Sequence, residues 1–248
     1  MADGERRIDH VAPLLRKLRT RDIVTEHEEA VLRGAVTDVQ ELPAGRTLTR
    51  SGQSLTHSTL LVEGIVARYV ELAEGQRQII ELHVAGDFID LHGFLLKRLE
   101  HNVGALTRVT VALMPHEAIR RITEEEPHLA RLLWFSTLID AAVQRERIVS
   151  IGRRSALARV AHLLCEMNVR LEVVGLARAG AFSLPITQAD LADATGLTSV
   201  HVNRMLRRLR EEGLVVHRGG EVQIQAWEQL QRAGDFSPDF LYLERRPR

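Results

Sequence analysis

The chain has one cysteine, Cys165, in 248 residues. A single thiol excludes an intramolecular disulfide framework and any all-cysteine metal cluster held within one chain. No run of 18 or more apolar residues occurs, so no segment reads as a membrane-spanning helix. The opening residues Met1–Arg7 are polar and have no apolar stretch behind them, which does not fit a secretory signal. Cytosol is the expected compartment. Net charge is also lacking: 33 basic residues balance 33 acidic ones. The balance is uneven along the chain, however. Residues 1–150 hold 19 Lys+Arg and 22 Asp+Glu, and residues 151–248 hold 14 and 11. A surface for a polyanion therefore belongs in the C-terminal part. There is no Ser–His–Asp signature, no Gly-rich phosphate loop and no Cys/His spacing for zinc, so no enzyme and no bound cofactor or metal is expected.

Apolar residues, at 45%, suffice for an ordinary core, and the length suits two domains. Residues 8–34 show helical spacing through Ile8, Val11, Leu14, Leu15 and Leu18, with Glu26–Arg33 continuing after a short break. From Val36 to Met114 the pattern changes to short β-prone runs, such as Leu60–Val62, Ile65–Val70 and Gln78–Val84. Turn signals at Pro43–Gly45, Ser51-Gly52, Glu63-Gly64, Glu74-Gly75 and Gly86-Asp87 separate them. Short strands at near-regular spacing predict a small barrel or jelly roll. Pro127–Ser150 reads as a long helix whose apolar stripe is Leu132, Phe135, Ile139, Ala142, Val143 and Val149. That stripe suits either packing on its own barrel or a two-stranded seam between chains. Ile151-Gly152 is expected to break this helix. Another helix follows over Ser155–Leu171, and Gly175–Gly180 reads as a loop.

The most informative run is Leu184–Leu214. Thr187 caps a short helix, with Asp190 three residues on as a variant capping box. Thr195-Gly196 ends that helix, because glycine permits the bend between two crossed helices. Thr198 caps a second helix. On it Val202, Met205, Leu206 and Leu209 face inward, leaving Ser199, Val200, Asn203, Arg204 and Arg207 outside. An apolar back with a polar, basic front is what a helix lying in a DNA major groove requires. Leu214–His217 and Glu221–Gln225 flank Arg218-Gly219-Gly220 as a hairpin wing, which puts Arg218 within reach of a phosphate. The plain alternative is a helical hairpin with a solvated basic face.

Leu191–Arg204 resembles the recognition motif of the Crp/Fnr family, and Leu61–Gly64 and Gly86–Ile89 resemble landmarks of that family's sensor domain. The likeness covers roughly residues 30–225. It implies an α+β fold: an N-terminal cyclic-nucleotide-binding-like β-roll over 1–126, a dimerisation helix over 127–150, and a winged helix-turn-helix over 151–248. The expected function is sequence-specific DNA binding as a homodimer on an inverted repeat. RNA polymerase is a further partner, and a small-molecule effector of unknown identity is allowed. The expected DNA-contacting residues are Thr187, Gln188, Thr198, Ser199, Val200, His201, Asn203, Arg204, Arg207 and Arg218. The family's base-reading positions fall on Ser199, Val200 and Arg204; valine replaces the acidic residue often found at the second. Leu132, Phe135, Ile139 and Val143 are the expected dimer contacts.

The effector pocket implied by the resemblance comprises Gly86, Asp87, Phe88, Leu91, His92, Lys97, Arg98 and His101. Cyclic-nucleotide members hold ribose with a glutamate and phosphate with an Arg-Ser pair. Here those positions read Leu91 and Glu100-His101, which argues against a cyclic nucleotide unless Lys97 or Arg98 substitutes. A cyclic-nucleotide-gated regulator is the alternative reading. His83, His92 and His101 are expected as partly exposed surface residues rather than heme or metal ligands, and Cys165 as a core thiol.

Overall fold

The structure is a computed structural model that describes residues 9–248. Ile8 lies outside the described residues. Two helices open the chain, α1 (Ala12–Arg21) and α2 (Glu26–Ala35). Thr25 separates them and caps α2 reciprocally with Glu28, which satisfies two otherwise orphaned N–H groups. The strands β1 (Asp38–Leu42), β2 (Thr47–Thr49), β3 (His57–Glu63), β4 (Val66–Glu71) and β5 (Arg77–His83) follow. A one-turn helix α3 (Gly93–Leu96) precedes β6 (Asn102–Ala105) and β7 (Val109–Pro115). These strands form two antiparallel sheets, ordered β1-β7-β3 and β2-β6-β4-β5. The expected roll is therefore present.

One side of the roll packs on α1, α2 and the next two helices, α4 (His116–Glu125) and α5 (Pro127–Arg153), through Leu14, Leu15, Leu32, Leu60, Met114 and Ile119. Gly86 fixes the approach of α1. Its φ is +85°, and a Cβ there would stand 2.7 Å from the Pro13 carbonyl oxygen.

After α5 come α6 (Ala156–Val173), a small hairpin of β8 (Ala177–Arg178) and β9 (Ala181–Ser183), α7 (Gln188–Thr195), α8 (Ser199–Glu211), β10 (Val215–Arg218), β11 (Glu221–Ile224) and α9 (Trp227–Gly234). The expected loop at Gly175–Gly180 thus contains most of a hairpin. Strands of two and three residues give no readable alternation, and they form because β9 pairs with β11 in a sheet ordered β10-β11-β9-β8.

The core of this C-terminal unit is continuous with the roll, since Ile79, Leu82 and Val84 join the cluster built on α6, α7 and α8. Cys165 is buried in it, and burial pushes its thiol pKa up to about 12. Beyond α9 a 3-10 turn, Pro238–Leu241, leads a tail back to α1 and α5. There the Arg246 N–H donates to the Arg21 carbonyl at 3.0 Å, and the Arg248 guanidinium sits 4.2 Å from the Phe135 ring centre.

Two expectations about α5 fail. Ile151-Gly152 does not end the helix, which continues to Arg153; one glycine in a helix costs only about 1 kcal/mol. Of the expected dimer contacts, two turn inward and two are partly covered. Leu132 is 0% exposed and joins the core against α1, Val143 is buried, and Phe135 and Ile139 are half-buried beside the chain's own α1 and C-terminal tail. The apolar residues left on the surface of α5 are Trp134, Leu138, Ile148 and Val149. The helix carries apolar residues on two faces, and its own chain covers most of the stripe chosen from spacing but leaves Val149 exposed.

Candidate nucleic-acid interface

Thr187 begins the site. Its hydroxyl accepts from the Asp190 N–H at 3.1 Å, and its own N–H donates to the Asp190 carboxylate at 2.9 Å. This closes the capping box of α7. Gly196 ends α7 in the left-handed region at φ +65°, and the Leu197 N–H then reaches the Ala192 carbonyl at 3.0 Å. A residue with a Cβ would be strained there. Thr198 caps α8 by accepting from the His201 N–H at 3.3 Å.

The inward face of α8 is as expected: Val202, Met205 and Leu209 are buried and Leu206 is half-buried. Ser199, Val200, His201, Asn203, Arg204 and Arg207 are all exposed. Among the described residues Arg204, Arg207 and Arg218 enter no ion pair, whereas Arg208 is held by Glu212 at 2.7 Å. Exposed guanidinium groups without carboxylate partners are available for phosphates and base edges. Asn203 donates to Gln188 at 3.4 Å and links the two helices on their outer side. In the wing, Arg218 pairs in register with Glu221 across Gly219-Gly220. Both glycines have positive φ, as a two-residue type I′ hairpin requires.

Sequence reasoning missed the support behind α7. Arg77 on β5 donates to Asp190 at 2.5 Å and to Asp193 at 2.7 Å, and the Gln78 side chain donates to the Asp193 carbonyl at 2.5 Å. The capping carboxylate of the helix-turn-helix is therefore also a docking point on the roll.

The expected effector residues do not gather. Gly86, Asp87, Phe88 and Leu91 line a crevice toward α1 and α5, and Asp87 is taken by Lys17 and Arg170. His92 and His101 pack against each other with ring centres 5.5 Å apart and planes tilted by 37°. Lys97 and Arg98 are exposed, and the Lys97 ammonium donates to the Phe94 carbonyl at 2.6 Å.

Two of the three histidines are not surface residues. His83 and His101 are buried and His92 is half-buried. Burial, with Arg68 nearby, lowers the pKa of all three, to about 3 for His92. Their residue type had suggested exposure; the roll's interior accepts them as neutral rings. Among the described residues no three His, Cys, Asp or Glu side chains converge as metal ligands.

Residues 39–126 match the model of the cyclic nucleotide-binding domain, and residues 158–233 match that of the Crp-like helix-turn-helix domain. The nitrogen fixation regulation protein FixK of Bradyrhizobium diazoefficiens is 31% identical over 181 residues, covering 71% of this chain and 74% of FixK. The chain belongs to the Crp/Fnr family. The transcriptional activator protein FnrL of Cereibacter sphaeroides is 26% identical over 179 residues, or 71% of each chain. FixK2 from Bradyrhizobium japonicum superposes with a TM-score of 0.73 at 25% identity, over 80% of this chain and 97% of its own. This Crp/Fnr regulator is thus a DNA-binding transcription regulator with the family's roll, long helix and winged helix-turn-helix. Among the described residues no helix is long and apolar enough to cross a membrane.

Proposed function

We propose that the protein acts in the cytoplasm as a homodimer that reads an inverted-repeat DNA site, with α8 in the major groove and the wing on the backbone. The observation that carries this reading is the front of α8: a capped, exposed face on which Arg204 and Arg207 have no carboxylate partner among the described residues. Arg204 reads a base, Ser199 and Val200 flank it, and Arg218 meets a phosphate. The activator names of the relatives extend the reading to contact with RNA polymerase.

Arg204→Ala is expected to lose roughly 1–3 kcal/mol of specific affinity and to relax preference at one base pair per half-site. Arg218→Ala should weaken all sequences alike and lower the salt slope by about 1. Selection from a random DNA pool, followed by salt-dependent titration, measures both. An unchanged site preference in Arg204→Ala removes the base-reading assignment.

The same DNA titration is expected to be indifferent to millimolar cyclic AMP or cyclic GMP. Leu91 provides no carboxylate for the ribose, Glu100 is exposed, and Lys97 and Arg98 point away from the roll's interior. A ligand shifts an equilibrium only through contacts that differ between the two states. A tightening of about tenfold or more, equal to about 1.4 kcal/mol, would restore the cyclic-nucleotide reading.

A further inference from the structure

The unit that carries α7 and α8 follows α5 across a short joint. Helix α5 ends at Arg154, whose backbone is extended at ψ 147°, and Ser155 caps α6 with ψ 160°. Two consecutive extended residues between helices can absorb a change of direction. Away from the joint, α6 is held by Arg170, which pairs with Asp87 at 2.9 Å. The helix-turn-helix itself has a separate attachment. Among the described residues, the hydrogen bonds that side chains of the roll make to α7 all come from β5.

One guanidinium does most of this. Arg77 Nη2 donates to Asp190 and Nε to Asp193, carboxylates three residues apart on α7. The Tyr69 ring lies against the same guanidinium, 5.6 Å from its centre. Gln78 donates to the Asp193 carbonyl, one of the last-turn carbonyls that a helix leaves without an internal partner. Beneath these contacts Ile79, Leu82 and Val84 share a core with α6, α7 and α8. A lone exposed ion pair holds little, but a planar fork shared by two carboxylates fixes direction as well as distance. The α7 cap does not need Arg77, because Thr187 closes the box with Asp190 by itself. Only Gly196, Leu197 and Thr198 separate α7 from α8, so the direction of one helix sets that of the other.

We infer that Arg77 is a positioning residue for operator reading: from the roll it fixes the direction of α7, and hence of α8, so that the two reading helices of a dimer stand at one separation. This role rests on the proposed reading of an inverted repeat. Linked sites gain most when their span matches the linkage; a looser pair gains less and tolerates other spans.

The test measures full-length wild type and Arg77→Met at one salt concentration. The DNAs are a single half-site, the selected operator, and operators with one base pair added or removed between the half-sites. Arg77→Met should keep nearly the wild-type affinity for the single half-site. Its advantage on the operator over the half-site should fall by about fivefold or more, and its penalty for an altered spacer should shrink. A purely structural loss would lower half-site and operator affinity together and leave the spacer preference unchanged. Asp193→Asn removes the contact from the other side and should move the same ratio in the same direction. In the Arg77→Met background it should add little, since the pair is already broken. It also decides the matter if Arg77→Met does not fold. A wild type indifferent to spacing overturns the two-half-site reading, and this role with it. A selective wild type whose variants keep the same operator advantage and the same spacer penalty overturns the role of Arg77 alone.

Discussion

Leu138→Asp is expected to turn a dimer into a monomer. In light scattering at micromolar concentration, wild type should run at twice the 27.9 kDa chain mass and the variant at that mass. Trp134, Leu138, Ala141, Arg145 and Ile148 follow one another at alternating steps of four and three along α5, the spacing of a two-stranded helical seam. Trp134 is 66% exposed and Ile148 is 72% exposed. An aspartate at Leu138 would place a charge where each chain meets the other. Affinity for a two-half-site operator should fall by roughly a hundredfold or more, because linked sites gain about 10²–10⁴ over one. Half-site centres are expected about 34–36 Å apart. Ile139→Asp is the informative contrast. Ile139 lines the space against α1, the Gly86 turn and the tail, so that variant should lose folding stability rather than only assembly. A Leu138→Asp protein that stays dimeric would refute this seam.

The two α5 faces show where the sequence stopped being legible. The α8 face could be read because a threonine cap fixes its start and only one side is apolar, so spacing alone separates Val202, Met205 and Leu209 from Arg204 and Arg207. The wing was legible for a similar local reason: Gly219-Gly220 between β-prone runs admits few backbones. On α5, spacing led to the stripe of Leu132 and Val143, and the second apolar face of Trp134 and Ile148 went unread. Only tertiary packing, with α1 lying on the Gly86 turn and the tail returning to Phe135, shows which is covered. The buried charges were still less accessible. Arg68, Glu81 and His83 stand in strands where a polar residue reads as solvent-facing. They face inward because α5 and α6 close over that sheet. Arg77 reads as an ordinary surface arginine until α7 is docked against it. Residues 226–248 carried no pattern, because their tail is held by contacts with α1 and α5 that are remote in sequence.

Arg68→Met is expected to cost about 3–5 kcal/mol of folding stability at pH 8, since removing one member of a buried ion pair leaves the other uncompensated, and distinctly less at pH 6. Arg68 is 1% exposed and joins four elements. Nε donates to the Ile89 carbonyl at 2.9 Å, Nη1 to Glu81 at 2.8 Å, and Nη2 to the Phe88 carbonyl at 3.2 Å and to Asp140 at 3.0 Å. Glu81 also accepts from Gln144 at 3.0 Å, while its other oxygen has no partner. Burial raises the Glu81 pKa to about 7, with Asp140 adding to the rise and Arg68 and Arg170 opposing it.

A carboxyl whose folded pKa exceeds its unfolded value of about 4.3 holds its proton more tightly when folded. Its contribution to stability is complete below that value and is lost as pH rises through about 7. Asp90, raised to about 6 by burial against the pull of its Thr59 hydrogen bonds, adds a loss of the same sign. Wild type should therefore lose stability between about pH 4.5 and 7 from these two groups. Without Arg68 the strongest influence lowering Glu81 disappears, its pKa rises further, and the loss extends above pH 7. At pH 6 the variant can keep Glu81 protonated and avoid most of the penalty; at pH 8 it must bury an unpaired carboxylate or take up a proton against the bulk. Urea unfolding at the two pH values, extrapolated to water, measures the difference. Arg68→Met/Glu81→Gln should recover most of the pH 8 loss, because the stranded charge is removed. Equal destabilisation at pH 6 and pH 8, or no recovery in the double variant, would show that Arg68 acts through packing and its two carbonyl contacts rather than through the Glu81 charge.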